Sequence, residues 1–142
     1  MIKDVIIDIK GYQGIDDQRD TIEFTTDGRF GIKENEYYIS YDEGQMFGDG
    51  TKVKTSLYIK PDSVVLQRSG DIQSRMVIEK GNRNTCFYST PHGNLVLGIF
   101  GNKLDIDLSE KGGKIKLGYN IDSDLKLVSK NVVNISIREE NS

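Results

Sequence analysis

The sequence predicts an all-β chain that folds as a single antiparallel up-and-down β-barrel of about eight to ten strands. Apolar residues recur at every second position along nearly the whole chain, which is typical of strands with one buried face. Short turns, many of them containing glycine, separate these runs, and no helix long enough to connect parallel strands is found. A long meander removes its exposed edges by closing on itself, although a two-sheet sandwich has the same periodicity and stays open as the alternative.

The composition is that of a single domain covering residues 1–142, in which glycine is frequent (15 residues) and proline is rare (2 residues). The 19 basic and 22 acidic side chains give a formal net charge of −3, and the two signs are interspersed along the strands. A nucleic-acid partner is therefore not expected, because such a partner requires a concentrated basic face.

The single cysteine, Cys86, excludes an intrachain disulfide and every zinc site built from several cysteines, and it favours a reducing compartment. Charges at Lys3, Asp4 and Asp8 interrupt the N-terminal apolar residues, unlike the apolar centre of a secretion signal. No apolar run approaches the roughly 20 residues that span a bilayer as a helix. These features predict a cytoplasmic protein with no membrane partner.

The first two predicted strands are long. The first places Val5, Ile7 and Ile9 on one face, and the second covers about residues 20–33. Within the second strand, the Asp27-Gly28 pair interrupts the apolar row, which predicts a bulge or bend at Gly28.

Two later inward rows end in a charged residue. In the third strand Glu43 follows Tyr41 on the apolar face, and in the fifth strand Arg68 follows Leu66. A charge buried alone costs several kcal/mol, so each of these residues requires a partner or a wet cavity. We therefore expect Glu43 and Arg68 to lie close together, either as a structural ion pair that closes one end of the barrel or as part of a binding site.

The second half of the chain continues the meander through short hairpins. In the segment 95–99, Val96 stands on the parity opposite to its neighbours, as does Phe100 after it, which predicts a central strand covered on both faces. Gly101-Asn102 predicts a turn into the next strand, and further strands are predicted at 115–121 and 133–137.

The glycine-rich segment 44–50 predicts an exposed, mobile loop with Met46 and Phe47 at its tip. It lacks the Lys-Ser/Thr ending and the following helix of a phosphate-binding loop.

The sequence gives only weak support for a catalytic or metal-binding site elsewhere in the chain. His92 is the one histidine, which excludes a multi-histidine metal site, and a Ser-His-acid triad with Ser89 is far less expected than a turn role. Cys86 is predicted to serve packing. The aspartate pairs at 105/107 and 122/124 lack the spacing of a calcium loop. We predict no metal, no cofactor and no enzymatic activity.

Several separated motifs resemble the YwiB-like family, small bacterial proteins of unknown function. The resemblance covers nearly the whole chain and implies a lipocalin-like, or calycin-type, β-barrel without an established activity. His92 and Ile78 depart from the family pattern, in which both positions are expected to be aromatic. The motifs are Tyr37-Tyr38-Ile39-Ser40-Tyr41-Asp42-Glu43, Val64 to Arg68 with Gly70, Met76 with Glu79 and Gly81, Tyr88-Ser89-Thr90-Pro91-His92-Gly93, Tyr119 and Asn131.

Two functions are predicted as alternatives. The first is binding of a small amphipathic or anionic ligand at the barrel mouth, with the aliphatic rows holding its tail. The second is a structural or regulatory interaction module that acts through protein contacts, as a homodimer in one version. Either Tyr88 or Phe87 must point inward, and we expect Tyr88 to share a cavity with Arg68. The predicted ligand-binding residues are Arg68, Glu43, Tyr41, Tyr88, Thr90 and Tyr119.

Overall fold

The computed structural model describes residues 2–15, 18–43 and 50–140, which form a closed antiparallel barrel. Each strand pairs with its successor in the chain, and the last strand pairs with the first. This architecture confirms the predicted fold class and excludes the two-sheet sandwich. The strands are β1 (Ile2–Ile15), β2 (Gln18–Lys33), β3 (Glu36–Asp42), β4 (Val53–Ile59), β5 (Ser63–Gly70), β6 (Gln73–Glu79), β7 (Arg83–Thr90), β8 (Gly93–Ser109), β9 (Gly112–Ser123) and β10 (Lys126–Glu139).

The two ends of the barrel carry different connections. Strands β2, β4, β6 and β8 end at one end of the barrel, which we call the base, and the strands β1, β3, β5, β7 and β9 end at the other, the mouth. Most of the segment predicted as a mobile loop, residues 44–49 with Met46 and Phe47, lies outside the described residues.

Apolar side chains fill the base half of the barrel. Phe30, Ile39, Leu57 and Ile78 are each 0% exposed, and the Phe30 ring stacks on Tyr37 with 5.8 Å between ring centroids. Burying a side chain of this size contributes about 1.5–3 kcal/mol relative to leaving it in water. The base is therefore a packed core, and any ligand must lie nearer the mouth.

The turn predicted at Gly101-Asn102 is wrong, because β8 runs through it as one strand of 17 residues. The pairing of β8 with β9 shifts register between Gly101 and Lys103. This irregularity inserts an extra residue, so the inward side chains change from odd positions such as Ile99 to even positions such as Leu104.

Of the bulge or bend predicted at Gly28, the bulge is wrong. The pairing of β2 with β1 continues without a register shift through Gly28, where the pairing of β2 with β3 begins. A Cβ atom there would collide with the Ile7 side chain and lie 2.6 Å from the carbonyl oxygen of Ser40. Glycine is required at this position because neighbouring strands approach too closely for a side chain.

The prediction that the strand around 95–99 is covered on both faces is wrong as well. Val96 is 58% exposed and Phe100 is 37% exposed. The reason is architectural: a barrel has one layer, and no second layer covers its outer face.

Candidate functional site

The charged ends of two inward rows meet in the mouth half of the barrel. Arg68 Nε donates a hydrogen bond to Glu43 Oε2 over 3.4 Å, although the residues are 25 positions apart in the chain. The Glu43 side chain is 7% exposed and the Arg68 side chain is 22% exposed. This contact confirms the prediction that Glu43 and Arg68 lie close together.

Two buried tyrosines surround the ion pair. Tyr41 Oη donates to Glu43 Oε1 over 3.3 Å. Burial, and then the Glu43 carboxylate, raises the pKa of Tyr41, while burial raises the pKa of Tyr119 against the opposing effect of Arg68. Burial by itself would lower the pKa of Arg68, but Glu43 and the phenols outweigh it and raise that pKa above its ordinary value. The site therefore holds a permanent cation beside two phenols that stay protonated.

A row of polar residues crosses five strands at this level. Backbone pairing places Thr55 on β4 and Ser74 on β6 directly beside Arg68 on β5. Tyr41 pairs with Thr55 and Tyr88 pairs with Ser74, so the row extends from β3 to β7. Thr55 Oγ1 and Ser74 Oγ are buried and have no hydrogen-bond partner among the described residues. Buried hydroxyls without partners are uncommon in native cores, so this row is a notable departure from an ordinary barrel interior.

A cavity of about 150 Å³ opens beside the ion pair. Its polar side is formed by Arg68, Glu43, Tyr41 and Tyr119. The other described lining residues are Ile9, Gly11, Tyr12, Gln13, Ile22, Leu66, Asn131, Val133 and Ile135.

A larger groove of about 540 Å³ borders the mouth, but its charged residues Arg29, Asp42, Lys52 and Lys54 are exposed to solvent. Water screens exposed charges, whereas a buried charge interacts strongly with a bound group. The smaller cavity is therefore the better candidate for a specific site.

The predicted site residues divide into two groups. Arg68, Glu43, Tyr41 and Tyr119 come together around the cavity. Tyr88 points inward and is half-buried, while Phe87 is 72% exposed on the outer face, which settles the choice between them. Tyr88 contributes to the raised pKa of Arg68, but it is not among the described residues that line the cavity.

Thr90 lies at the end of β7, in the turn that leads into β8. Its hydroxyl donates to the carbonyl oxygen of Gly93 over 3.1 Å and accepts a hydrogen bond from the backbone N–H of His92 over 3.1 Å. Both contacts are local, so the structure gives Thr90 a role in shaping the turn.

Sequence reasoning missed Thr55, Ser74 and Gly11 as site residues. Each stands on an inward row where a hydroxyl or a glycine replaces an apolar side chain. That break in the pattern is the signal that could have found them.

Comparison with known proteins places this barrel in a family. The family model described as a domain of unknown function, DUF1934, matches residues 7–135. The chain belongs to this family. The match confirms the resemblance predicted from the sequence motifs.

Two findings from Bacillus subtilis agree with membership of the DUF1934 family. The uncharacterized β-barrel protein YwiB of strain 168 is 28% identical over 117 residues, which cover 82% of this chain and 80% of that protein. The crystal structure of the ywiB protein superimposes with a TM-score of 0.86 and 25% identity, covering 97% of this chain and 92% of that one. These relatives share the barrel, and their names assign no activity.

The other candidate groups in this DUF1934 chain have local structural roles. Ser89 Oγ donates to Asn94 Oδ1 over 2.7 Å, and His92 is exposed. Cys86 is buried, and burial raises the pKa of its thiol. Asp122 accepts two hydrogen bonds from the Arg83 guanidinium.

Within the ranges that the structure describes, no group of three or more His, Cys, Asp or Glu residues is arranged to hold a metal ion. The same ranges contain no helix that is both long and apolar enough to cross a membrane.

Proposed function

We propose that this protein binds a small amphipathic ligand whose polar head occupies the cavity beside Arg68 in the barrel mouth. One observation carries the proposal: the largely buried Arg68–Glu43 ion pair borders an open cavity, whereas the base half of the barrel is packed. A cavity with few polar groups and a mostly apolar wall is typical of small-molecule sites. The proposal includes a lipocalin-like (calycin) relationship for the barrel, a cytoplasmic location and a non-enzymatic role.

The structure modifies the predicted placement of the ligand tail. The aliphatic rows of the base half are filled by fully buried residues such as Phe30 and Leu57. A tail therefore has to lie along the mouth half, where Ile22, which lines the cavity, is 44% exposed.

Thermal unfolding in the presence of amphiphiles tests the proposal. We expect decanoate, used below its micelle concentration, to raise Tm, because a ligand that binds the folded state at a hundredfold excess over Kd stabilises it by about 2.7 kcal/mol. For a chain of this size that stabilisation corresponds to an increase of about 5–10 °C. The increase should be lost in Arg68→Ala.

Arg138→Ala is the matched control, because Arg138 forms an exposed ion pair with Asp8 on the barrel exterior. It should retain the ligand-induced increase in Tm. An increase that persists in Arg68→Ala, or no response of the wild-type protein to any carboxylate, alcohol or phosphate amphiphile, would remove the support for this function.

A second candidate function, an interaction module that forms a homodimer, is supported by a different observation. Phe87 and Val96 face each other across β7 and β8 on the outer surface, where they are 72% and 58% exposed, and Phe100 lies farther along β8. Clustered exposed apolar side chains often mark protein contacts. A stable dimer buries about 800 Å² on each partner, so this cluster would form the centre of an interface.

Sedimentation measurements distinguish this second function. If the cluster forms a dimer interface, Phe87→Ser should weaken self-association at least tenfold, because aromatic residues at the centre of an interface contribute most to binding. Tyr58→Ser is the control, since Tyr58 is also on the outer face and 42% exposed but lies on β4. A wild-type protein that sediments as a monomer at every concentration tested would argue against the homodimer.

A further inference from the structure

A glycine on the inward row of β1 lines the cavity beside Arg68. The inward row of β1 contains Val5, Ile7 and Ile9, and the next inward position is Gly11. Among the described residues, the nearest neighbour of a Cβ atom added at Gly11 would be the Val132 carbonyl oxygen, 4.0 Å away. A side chain at this position would therefore extend into space that no described residue fills.

Gly28 and Gly101, which also lie inside strands, are different in this respect. A Cβ at Gly28 would lie 2.6 Å from the Ser40 carbonyl oxygen, and one at Gly101 would lie 2.7 Å from the carbonyl carbon of Glu79. Steric contact requires glycine at those positions but not at Gly11. A glycine inside a strand weakens the strand, and one reason for its presence is the close approach of a ligand.

The polar side of the cavity presents hydrogen-bond donors that have no partner among the described residues. Glu43 occupies the Nε side of the Arg68 guanidinium, and neither Nη atom forms a hydrogen bond to a described residue. Tyr119 is 6% exposed, lines the cavity, and its hydroxyl has no hydrogen-bond partner in the described part of the chain. Guanidinium and phenol donors that converge on one space match an acceptor group, and a carboxylate accepts hydrogen bonds from arginine in a planar, two-point arrangement.

The charge of the site restricts the acceptor further. Arg68 and Glu43 are the charged residues among the described lining, and their charges cancel. A dianionic phosphate would place two uncompensated negative charges beside the Glu43 carboxylate in a poorly hydrated space. A monoanion adds only one negative charge, and the unpartnered donors of Arg68 and Tyr119 can hold it.

The cavity volume restricts the rest of the ligand. About 150 Å³ corresponds to roughly five water molecules at about 30 Å³ each, which encloses a carboxylate with about four carbon atoms and leaves the rest of a longer alkyl chain outside the cavity. Ile9, Ile22 and Val133 provide the apolar wall around Gly11.

We infer that the cavity binds a short-chain aliphatic monocarboxylate, with its carboxylate on Arg68 and Tyr119 and its alkyl tail against Gly11. This inference rests on the proposed ligand-binding function and assigns the ligand class of that same site. It also assigns Gly11 as the residue that sets ligand size.

Isothermal titration with sodium butanoate tests the inference, with butan-1-ol, butyl phosphate and decanoate as comparison ligands. We expect butanoate to bind more tightly than the other three. Tyr119→Phe removes one hydroxyl and should weaken butanoate binding about three- to tenfold. Tyr38→Phe is the matched control, because the Tyr38 hydroxyl lies 3.5 Å from Ser56 Oγ on the outer face, and it should leave affinity unchanged.

Substitution at Gly11 tests the size assignment separately. Gly11→Leu should fill the cavity and reduce butanoate affinity at least tenfold while leaving Tm equal to or higher than that of the wild type. Gly11→Ala takes up the space of one methyl group, so it should weaken pentanoate binding more than propanoate binding. This shift in length preference is a readout that general destabilisation does not produce, and it remains available if Gly11→Leu does not fold.

The outcomes separate the inference from the function on which it rests. If decanoate alone binds, in a manner that requires Arg68, the ligand-binding function stands and the short-chain assignment is wrong. If butyl phosphate binds as tightly as butanoate, or if Gly11→Leu binds butanoate normally, the assignment is wrong as well. If none of the four ligands binds, both are wrong.

Discussion

Replacement of Arg68 by methionine is expected to destabilise the fold by about 3–5 kcal/mol, because it leaves the buried Glu43 carboxylate without its cation. Glu43 is 7% exposed, so solvation compensates for only part of the lost interaction. Chemical denaturation, followed by the fluorescence of the tyrosines, measures the loss as a reduced midpoint with an unchanged dependence on denaturant.

A double-mutant cycle separates the ion pair from the packing of the Arg68 side chain. Glu43→Gln with Arg68→Met should destabilise by clearly less than the sum of the two single substitutions, because the double variant contains no unpaired buried charge. Purely additive effects, or a loss for Arg68→Met within the range of an exposed ion pair, about 0–1 kcal/mol, would show that the two charges do not depend on each other.

Replacement of Phe30 by alanine is expected to cost about 3–5 kcal/mol of stability, the range measured for large aromatic residues in packed cores. Phe30 is 0% exposed at the base of the barrel and stacks on Tyr37. The substitution should lower the free energy of unfolding through lost apolar burial and through the space left among rigid neighbours.

Phe24 offers a matched comparison on the same strand and the same inward row, nearer the mouth, where it is only partly buried against the core. Phe24→Ala should cost about 1–2 kcal/mol, a fraction of the loss at Phe30. Equal losses at the two positions would contradict a filled base and a more open mouth.

The alternation of apolar residues predicted an all-β meander and the meeting of Glu43 with Arg68, whereas the choice of a barrel over a sandwich rested on the removal of exposed edges. An alternation with a period of two determines which side chains share a face of the sheet. A charged residue at the end of an inward row requires a partner, which a neighbouring strand can supply. The parity of the apolar positions also contained the information that corrects the turn predicted at Gly101-Asn102 and the bulge predicted at Gly28. The apolar positions change parity after Gly101, as a bulge requires, and they keep parity through Gly28, where no bulge occurs.

Cross-strand register was not predictable from the sequence. Whether Thr55 and Ser74 stand beside Arg68 depends on the exact lengths of the hairpins, which periodicity does not report. The cavity at Gly11 required three-dimensional information as well, since a glycine in a strand has the same appearance whether a neighbouring chain or empty space lies next to it. The exposure of Val96 could not be read from the chain, because apolar residues on both faces are equally typical of a central strand and of a contact surface.

The backbone pairing between β6 and β7 is shorter than any other strand pairing in the described part of the barrel. Over the described residues these strands share two paired positions, Gln73 with Ser89 and Ser74 with Tyr88. Toward the base, the Asn84 side chain bridges the strands by donating to the Val77 carbonyl oxygen and to Glu79.

Local opening of a protein begins where backbone pairing is sparse, so we expect the barrel to open locally between β6 and β7 first. Amide protons along the facing edges of these two strands should exchange with deuterated solvent before those of the β1–β2 ladder, whose 14 paired positions make it the most continuous part of the sheet. The unpaired stretch lies on the base side of the Ser74–Tyr88 pair, so opening there exposes the packed core around Met76 and Ile78 to solvent before it reaches the cavity beside Arg68.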